Sequence, residues 1–88
     1  MSNHPLTYFV YFLRSDSDGS RFYVGSTRDV ENRVKSHNQG GTKHTAKFGP
    51  WSLIWFSAFP TREAAEKFEA YLKTGSGRVF QKRHLSPT

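Results

Sequence analysis

Two nine-residue runs constrain this chain most: TYFVYFLRS at residues 7–15 and WSLIWFSAF at residues 51–59, both rich in aromatic and branched side chains suited to a pleated surface. Turn residues collect in SDSDGS, residues 15–20, and RFYVGS, residues 21–26, resumes the strand pattern, which predicts a β-hairpin with a longer loop. Alternation sends Phe22 and Val24 one way and Tyr23 and Gly25 the other. WSLIWFSAF is apolar on both alternating faces and predicts a buried strand. With 88 residues and no cysteine, a single domain over residues 1–88 must be held by packing alone. Eight Phe, four Tyr and two Trp supply that core, expected over about residues 7–85 with loose ends.

TRDVENRVKSHN predicts a helix over about residues 29–38, capped by Thr27 or Asp29, with Glu31 near its positive end and NQGG closing it. After Pro60, Thr61 caps a second helix running to about Lys73, with Ala64, Ala65, Phe68, Tyr71 and Leu72 as its apolar stripe. TGSG then breaks the pattern, and Ser76 caps a final short helix carrying Val79 and Phe80. On the first helix Val30, Val34 and His37 share a narrow stripe, with Arg33 at its edge. On the second, Glu63 complements the dipole and Glu66 faces solvent, but Glu69 sits at the rim beside Ala65 and Leu72. A partly desolvated carboxylate needs a cation, either a protein side chain such as Arg33 or a metal. An arginine stem lying on apolar surface and a satisfied core histidine would explain Arg33 and His37 singly. Taken with the strand tyrosines, these groups are expected to converge on one surface of the sheet.

Thirteen Lys and Arg against seven Asp and Glu give a net charge of +6, and Lys73, Arg78, Lys82 and Arg83 follow Glu69 with no further acid. Such a basic end favours a polyanionic partner. Lys43, His44 and Lys47 form a basic loop, and residues 75–78 open a helix N-terminus; with Arg28, Lys73, Arg78 and Lys82 they are candidate grips for flanking phosphates. Thiol chemistry is excluded, four scattered histidines offer no zinc cage, and GGTK lacks the spacing of a phosphate-binding loop. No apolar run approaches the roughly 20 residues of a membrane helix, and the first residues do not read as a signal peptide. A cytoplasmic protein with no membrane partner is expected.

FVY at residues 9–11, YVG at residues 23–25, Arg33, His37 and FEAYLK around Glu69 resemble the GIY-YIG nuclease domain in order and spacing, over about residues 7–85. LKTGSGRVF is similar to the small stand-alone bacterial members. The resemblance implies an α+β fold, a three-stranded antiparallel sheet flanked by helices in the order ββαβαα. It also implies hydrolysis of phosphodiester bonds with Mg²⁺ (or Mn²⁺) held by one glutamate. By that match Tyr11 closes the first motif and Tyr23 opens the second; Arg33 is the catalytic arginine, Glu69 the metal ligand, and His37 fills a position often taken by histidine or tyrosine. The residue types suit the chemistry. A guanidinium can bond two phosphate oxygens at once, and Mg²⁺ often takes a single carboxylate and keeps its waters. Tyr11 can act as base only if the metal or nearby cations lower its pKa or its proton moves late, and His37 can share or relay that proton; Tyr23 orients water or phosphate. Gly25 permits close approach of backbone or substrate.

Phe9 stands where the name-giving glycine would be, and no Asn follows Asn38, so Gln81 is the candidate for a site-shaping amide. The expectation is a metal-dependent endonuclease acting on DNA with little intrinsic sequence preference, in repair or recombination, as a monomer or weak homodimer. RNA, branched and damaged nucleic acids stay open as substrates, and specificity would come from substrate shape or a protein partner. The alternative is a nucleic-acid-binding module of the same fold without useful catalysis.

Overall fold

A computed structural model of the chain describes residues 7–40 and 43–85, without the side chains of Lys43 and His44. Strands β1 (Tyr8–Ser15) and β2 (Phe22–Thr27) are followed by helix α1 (Val30–Asn38), a one-turn helix α2 (Lys43–Ala46), β3 (Trp51–Phe59), α3 (Arg62–Leu72) and α4 (Gly75–Phe80). A five-residue π-helical turn, Gln81–Leu85, comes last. With the single turn of α2 set aside, the order is ββαβαα. The three strands form one antiparallel sheet in the order β2-β1-β3. No helix among the described residues is long and apolar enough to cross a membrane.

Central β1 is covered on both sides, so its side chains alternate between two cores. Val10 and Phe12 pack with Val24, Ala65, Leu72 and Leu85 on the α3 side. Tyr11 and Leu13 pack with Trp51, Val30 and Val34 on the α1 side. The expected burial of β3 is corrected here: it is an edge strand, with Leu53 38% and Phe56 52% exposed. Its run is apolar at successive positions because the register slips. Phe12 faces Trp55 but Leu13 faces Leu53, and this bulge lets Ile54 and Trp55 both join the α3-side core.

The caps decide where each helix begins. Asp29 accepts from the Asn32 N–H at 3.1 Å, and Thr61 accepts from the Ala64 N–H at 3.1 Å. The last helix starts at Thr74 rather than at Ser76: the Thr74 hydroxyl accepts from the Gly77 N–H at 3.1 Å and donates to the Tyr71 carbonyl at 2.6 Å. One hydroxyl thus ends α3 and opens α4. Gly77 makes that corner possible, since a Cβ there would lie 1.8 Å from the Tyr71 carbonyl oxygen and 2.6 Å from Leu72 Cα.

Candidate functional site

Tyr11 and Gly25 are register partners on adjacent strands, and the missing side chain of Gly25 makes room for the Tyr11 ring. A Cβ on Gly25 would lie 2.4 Å from the Tyr11 hydroxyl oxygen and 2.6 Å from Cζ. The phenol therefore lies across β2 toward the open edge of the sheet. Burial, foremost, pushes the Tyr11 pKa well above the usual tyrosine range; Tyr23 and Glu69 add to the rise and Arg33 opposes it. Tyr23, on the same face, sits with its ring 6.1 Å from that of Tyr11, 4.7 Å from His37 and 6.4 Å from Trp51.

His37 meets Tyr11 directly. Its Nε2 lies 2.8 Å from the Tyr11 hydroxyl and its Nδ1 2.8 Å from the Thr45 hydroxyl, in a setting where all three residues are at most 1% exposed. Burial, and then the charge of Arg33, hold the His37 pKa below its usual value, so the ring is neutral at physiological pH. Thr45 went unnoticed in the sequence because it lies in a glycine-bounded basic loop. Gly40, with φ +76°, closes α1 through its N–H on the His37 carbonyl at 3.2 Å.

Glu69 approaches from the other face. Its Oε1 accepts from the Ser26 hydroxyl at 2.7 Å, and its Oε2 lies 2.8 Å from Lys73 Nζ. Ser26 pairs with Val10, on the α3 side of the sheet. The expected convergence on one surface is thus corrected: Tyr11, Tyr23 and His37 lie on the α1 side, Glu69 lies on the α3 side, and they meet around narrow edge strand β2. The cation beside Glu69 is Lys73 rather than Arg33. Arg33 is exposed on α1, and among the described residues it forms no ion pair. Its charge still reaches Tyr11 and His37.

The described residues contain no cluster of three His, Cys, Asp or Glu that could cage a metal. Glu69 alone offers a carboxylate there, 21% exposed, and its lysine partner is 54% exposed. A hard cation that keeps several waters and needs one carboxylate fits this donor set; an all-protein cage does not.

Two clefts flank the outer side of β2. One of about 410 Å³ is lined by Phe22, Tyr23, Val24, Lys73, Arg78 and Gln81. The other, about 440 Å³, shares Phe22, Arg78 and Gln81 with it and adds Lys82. Three of the expected phosphate grips, Lys73, Arg78 and Lys82, therefore lie along one track that starts beside Tyr23. Arg28 lies elsewhere, its guanidinium 5.4 Å over the Tyr8 ring, and Lys47 is 5.6 Å from the Phe48 ring. The side chains of Lys43 and His44 fall outside the described residues. Gln81 lines both clefts, but its amide nitrogen donates to the Leu72 carbonyl at 2.5 Å, tying the π-helical turn to the end of α3.

Residues 7–83 match the GIY-YIG catalytic domain. The chain belongs to the GIY-YIG family. A small bacterial relative, the UPF0213 protein BH0048 of Halalkalibacterium halodurans, is 40% identical over 74 residues, 83% of this chain and 77% of that protein. The solution NMR structure of the UPF0213 protein BH0048 from Bacillus halodurans is 37% identical, with a TM-score of 0.54, covering 89% of this chain and 82% of that one. The structure-specific endonuclease subunits SLX1 of Debaryomyces hansenii and Candida dubliniensis are each 37% identical over 89 residues. This chain spans 25% and 30% of their lengths. Within the GIY-YIG frame, Tyr11 and Tyr23 stand on the two motif strands, Arg33 and His37 on α1 and Glu69 on α3.

Proposed function

We propose that this chain is a divalent-metal-dependent endonuclease that hydrolyses phosphodiester bonds in DNA with little intrinsic sequence preference. One observation carries the reading: the buried Tyr11–His37 pair lies against Gly25 on edge strand β2, with the Glu69 carboxylate tied to neighbouring Ser26 on the other face and the charge of Arg33 felt from α1. The names of the SLX1 relatives support it, as does the cationic track beside Tyr23. Glu69 would hold Mg²⁺ (or Mn²⁺), which supplies positive charge for the phosphate oxygens. Arg33 clamps two of those oxygens with its planar fork. Tyr11 takes the proton of the attacking water as His37 takes the proton of Tyr11, which a high phenol pKa requires. Tyr23 orients the water. Lys73, Arg78 and Lys82 hold neighbouring phosphates, contacts that carry no sequence information, so specificity comes from substrate shape or a partner.

The deciding experiment is cleavage of a panel of single-stranded, duplex, branched and damaged DNA and RNA, with Mg²⁺ or Mn²⁺ and with chelator. Wild type should cut with metal only. Glu69→Ala and Arg33→Ala should bind but cut about 10²–10³-fold more slowly. Binding without cutting in wild type would favour the second reading, a binding-only module. The engagement of Gln81 with Leu72 supports that alternative, because it takes up the amide nitrogen that could have shaped the site.

A further inference from the structure

We infer that Thr45 is a positioning residue that fixes the tautomer of His37, leaving Nε2 as the acceptor facing the Tyr11 hydroxyl. The two contacts are geometry; which nitrogen carries the proton follows from the relay and so rests on the nuclease reading above. Tyr11, His37 and Thr45 form one buried line with two 2.8 Å contacts. A neutral imidazole has one N–H and one lone pair, and each hydroxyl it meets can donate or accept, so transfer of the Tyr11 proton to Nε2 requires the ring proton on Nδ1, facing Thr45. Thr45 is itself held in a frame. Its carbonyl accepts from the Trp51 indole N–H at 2.7 Å, and the Trp51 backbone N–H and C=O bond the Asn38 side chain at 2.6 and 3.0 Å. With the proton on Nδ1 and donated to Thr45, Nε2 can take the Tyr11 proton. The other tautomer aims an N–H at Tyr11 and offers that proton nowhere to go on the ring.

A proton of water passes to the Tyr11 oxygen while the proton of Tyr11 passes to His37 Nε2. The freed electron pair on the water oxygen forms the new P–O bond. The bridging P–O bond breaks, its pair leaves on the sugar oxygen, and that oxygen takes a proton from solvent. His37 then returns its proton to Tyr11, which releases its own to solvent, replacing the one taken by the sugar oxygen. Burial and Arg33 keep His37 neutral beforehand, and a phosphate on Arg33 offsets part of the charge that opposes the transfer.

The test combines ¹⁵N NMR of the His37 ring with single-site kinetics on wild type, Thr45→Ser and Thr45→Val. Wild type and Thr45→Ser should carry the proton on Nδ1, and Thr45→Val should lose that preference. Thr45→Val should lower kcat about 10–100-fold with KM changed less than about twofold, and Thr45→Ser should restore most of it. A wild-type proton on Nε2, or an unchanged tautomer in Thr45→Val, overturns the assignment. If Thr45→Val fails to fold, the wild-type and Thr45→Ser spectra decide. If no form cleaves any substrate but the tautomers behave as stated, the assignment stands and the nuclease reading fails.

Discussion

Gly25→Ala should damage stability and site together, by an amount the geometry allows to be worked out. The added methyl would sit 2.4 Å from the Tyr11 hydroxyl oxygen, 2.6 Å from Cζ and 2.9 Å from Cε1, about 1 Å inside ordinary contact. The ring has little freedom to withdraw, because Tyr11 is 1% exposed and its hydroxyl is engaged by His37. Overpacking of this kind costs about 1–3 kcal/mol, and parting Tyr11 from His37 leaves a buried nitrogen unpaired at a further cost of about 1 kcal/mol or more. A total of about 2–4 kcal/mol should lower the melting temperature by roughly 10–25 °C in a domain this small. Urea unfolding followed by circular dichroism measures the loss directly. Tyr11→Phe removes the closest atom, so the double variant should be less destabilised than the two singles added together, by about 1 kcal/mol. A Gly25→Ala protein within about 0.5 kcal/mol of wild type and fully active would refute the packing of the phenol over the glycine.

Gly77→Ala meets backbone rather than a side chain and should cost roughly 3 kcal/mol, whereas Gly75→Ala, with nothing within 4 Å, should be neutral or slightly stabilising in the same urea series. His37 has a lowered folded pKa, so the unfolded chain binds more protons below about pH 6.5; its contribution is fully present above that pH and is lost as pH falls toward the folded pKa. Melting curves between pH 8 and 5 should therefore show a decline that His37→Gln flattens. The raised Tyr11 pKa works in the opposite direction: its contribution is present below about pH 10 and lost above it, and the ultraviolet difference between wild type and Tyr11→Phe should show a phenol ionising later than an ordinary tyrosine. DNA affinity should fall linearly with log salt, and Arg78→Ala should reduce that slope by about 1 if the cleft beside Tyr23 holds a phosphate.

Element positions were legible because the forces that set them are local: β1, β2, α1, β3 and α3 each end within one residue of where their periodic pattern stops. Helical projection also singled out Arg33, His37 and Glu69 as charged or polar groups at apolar rims. What local pattern cannot carry is which strand is central. Two aromatic runs of equal length look alike, yet β1 lies between the other two and is sealed on both faces, while β3 lies at an edge with Phe56 half exposed. The same ambiguity hid the path of the site. Arg33 and His37 belong to a helix on one side of the sheet and Glu69 to a helix on the other, so the groups can meet only at an edge strand narrow enough to reach around. β2 satisfies that condition through two unassuming residues. Gly25 removes a side chain so that Tyr11 can cross toward the edge, and Ser26, next along the chain and on the opposite face, ties the Glu69 carboxylate beside it. A β-branched residue at position 25 would close that passage even with every charged group of the site intact. For this fold, then, the glycine of the second motif does as much to shape this edge of the sheet as the tyrosine it admits and the carboxylate held beside it.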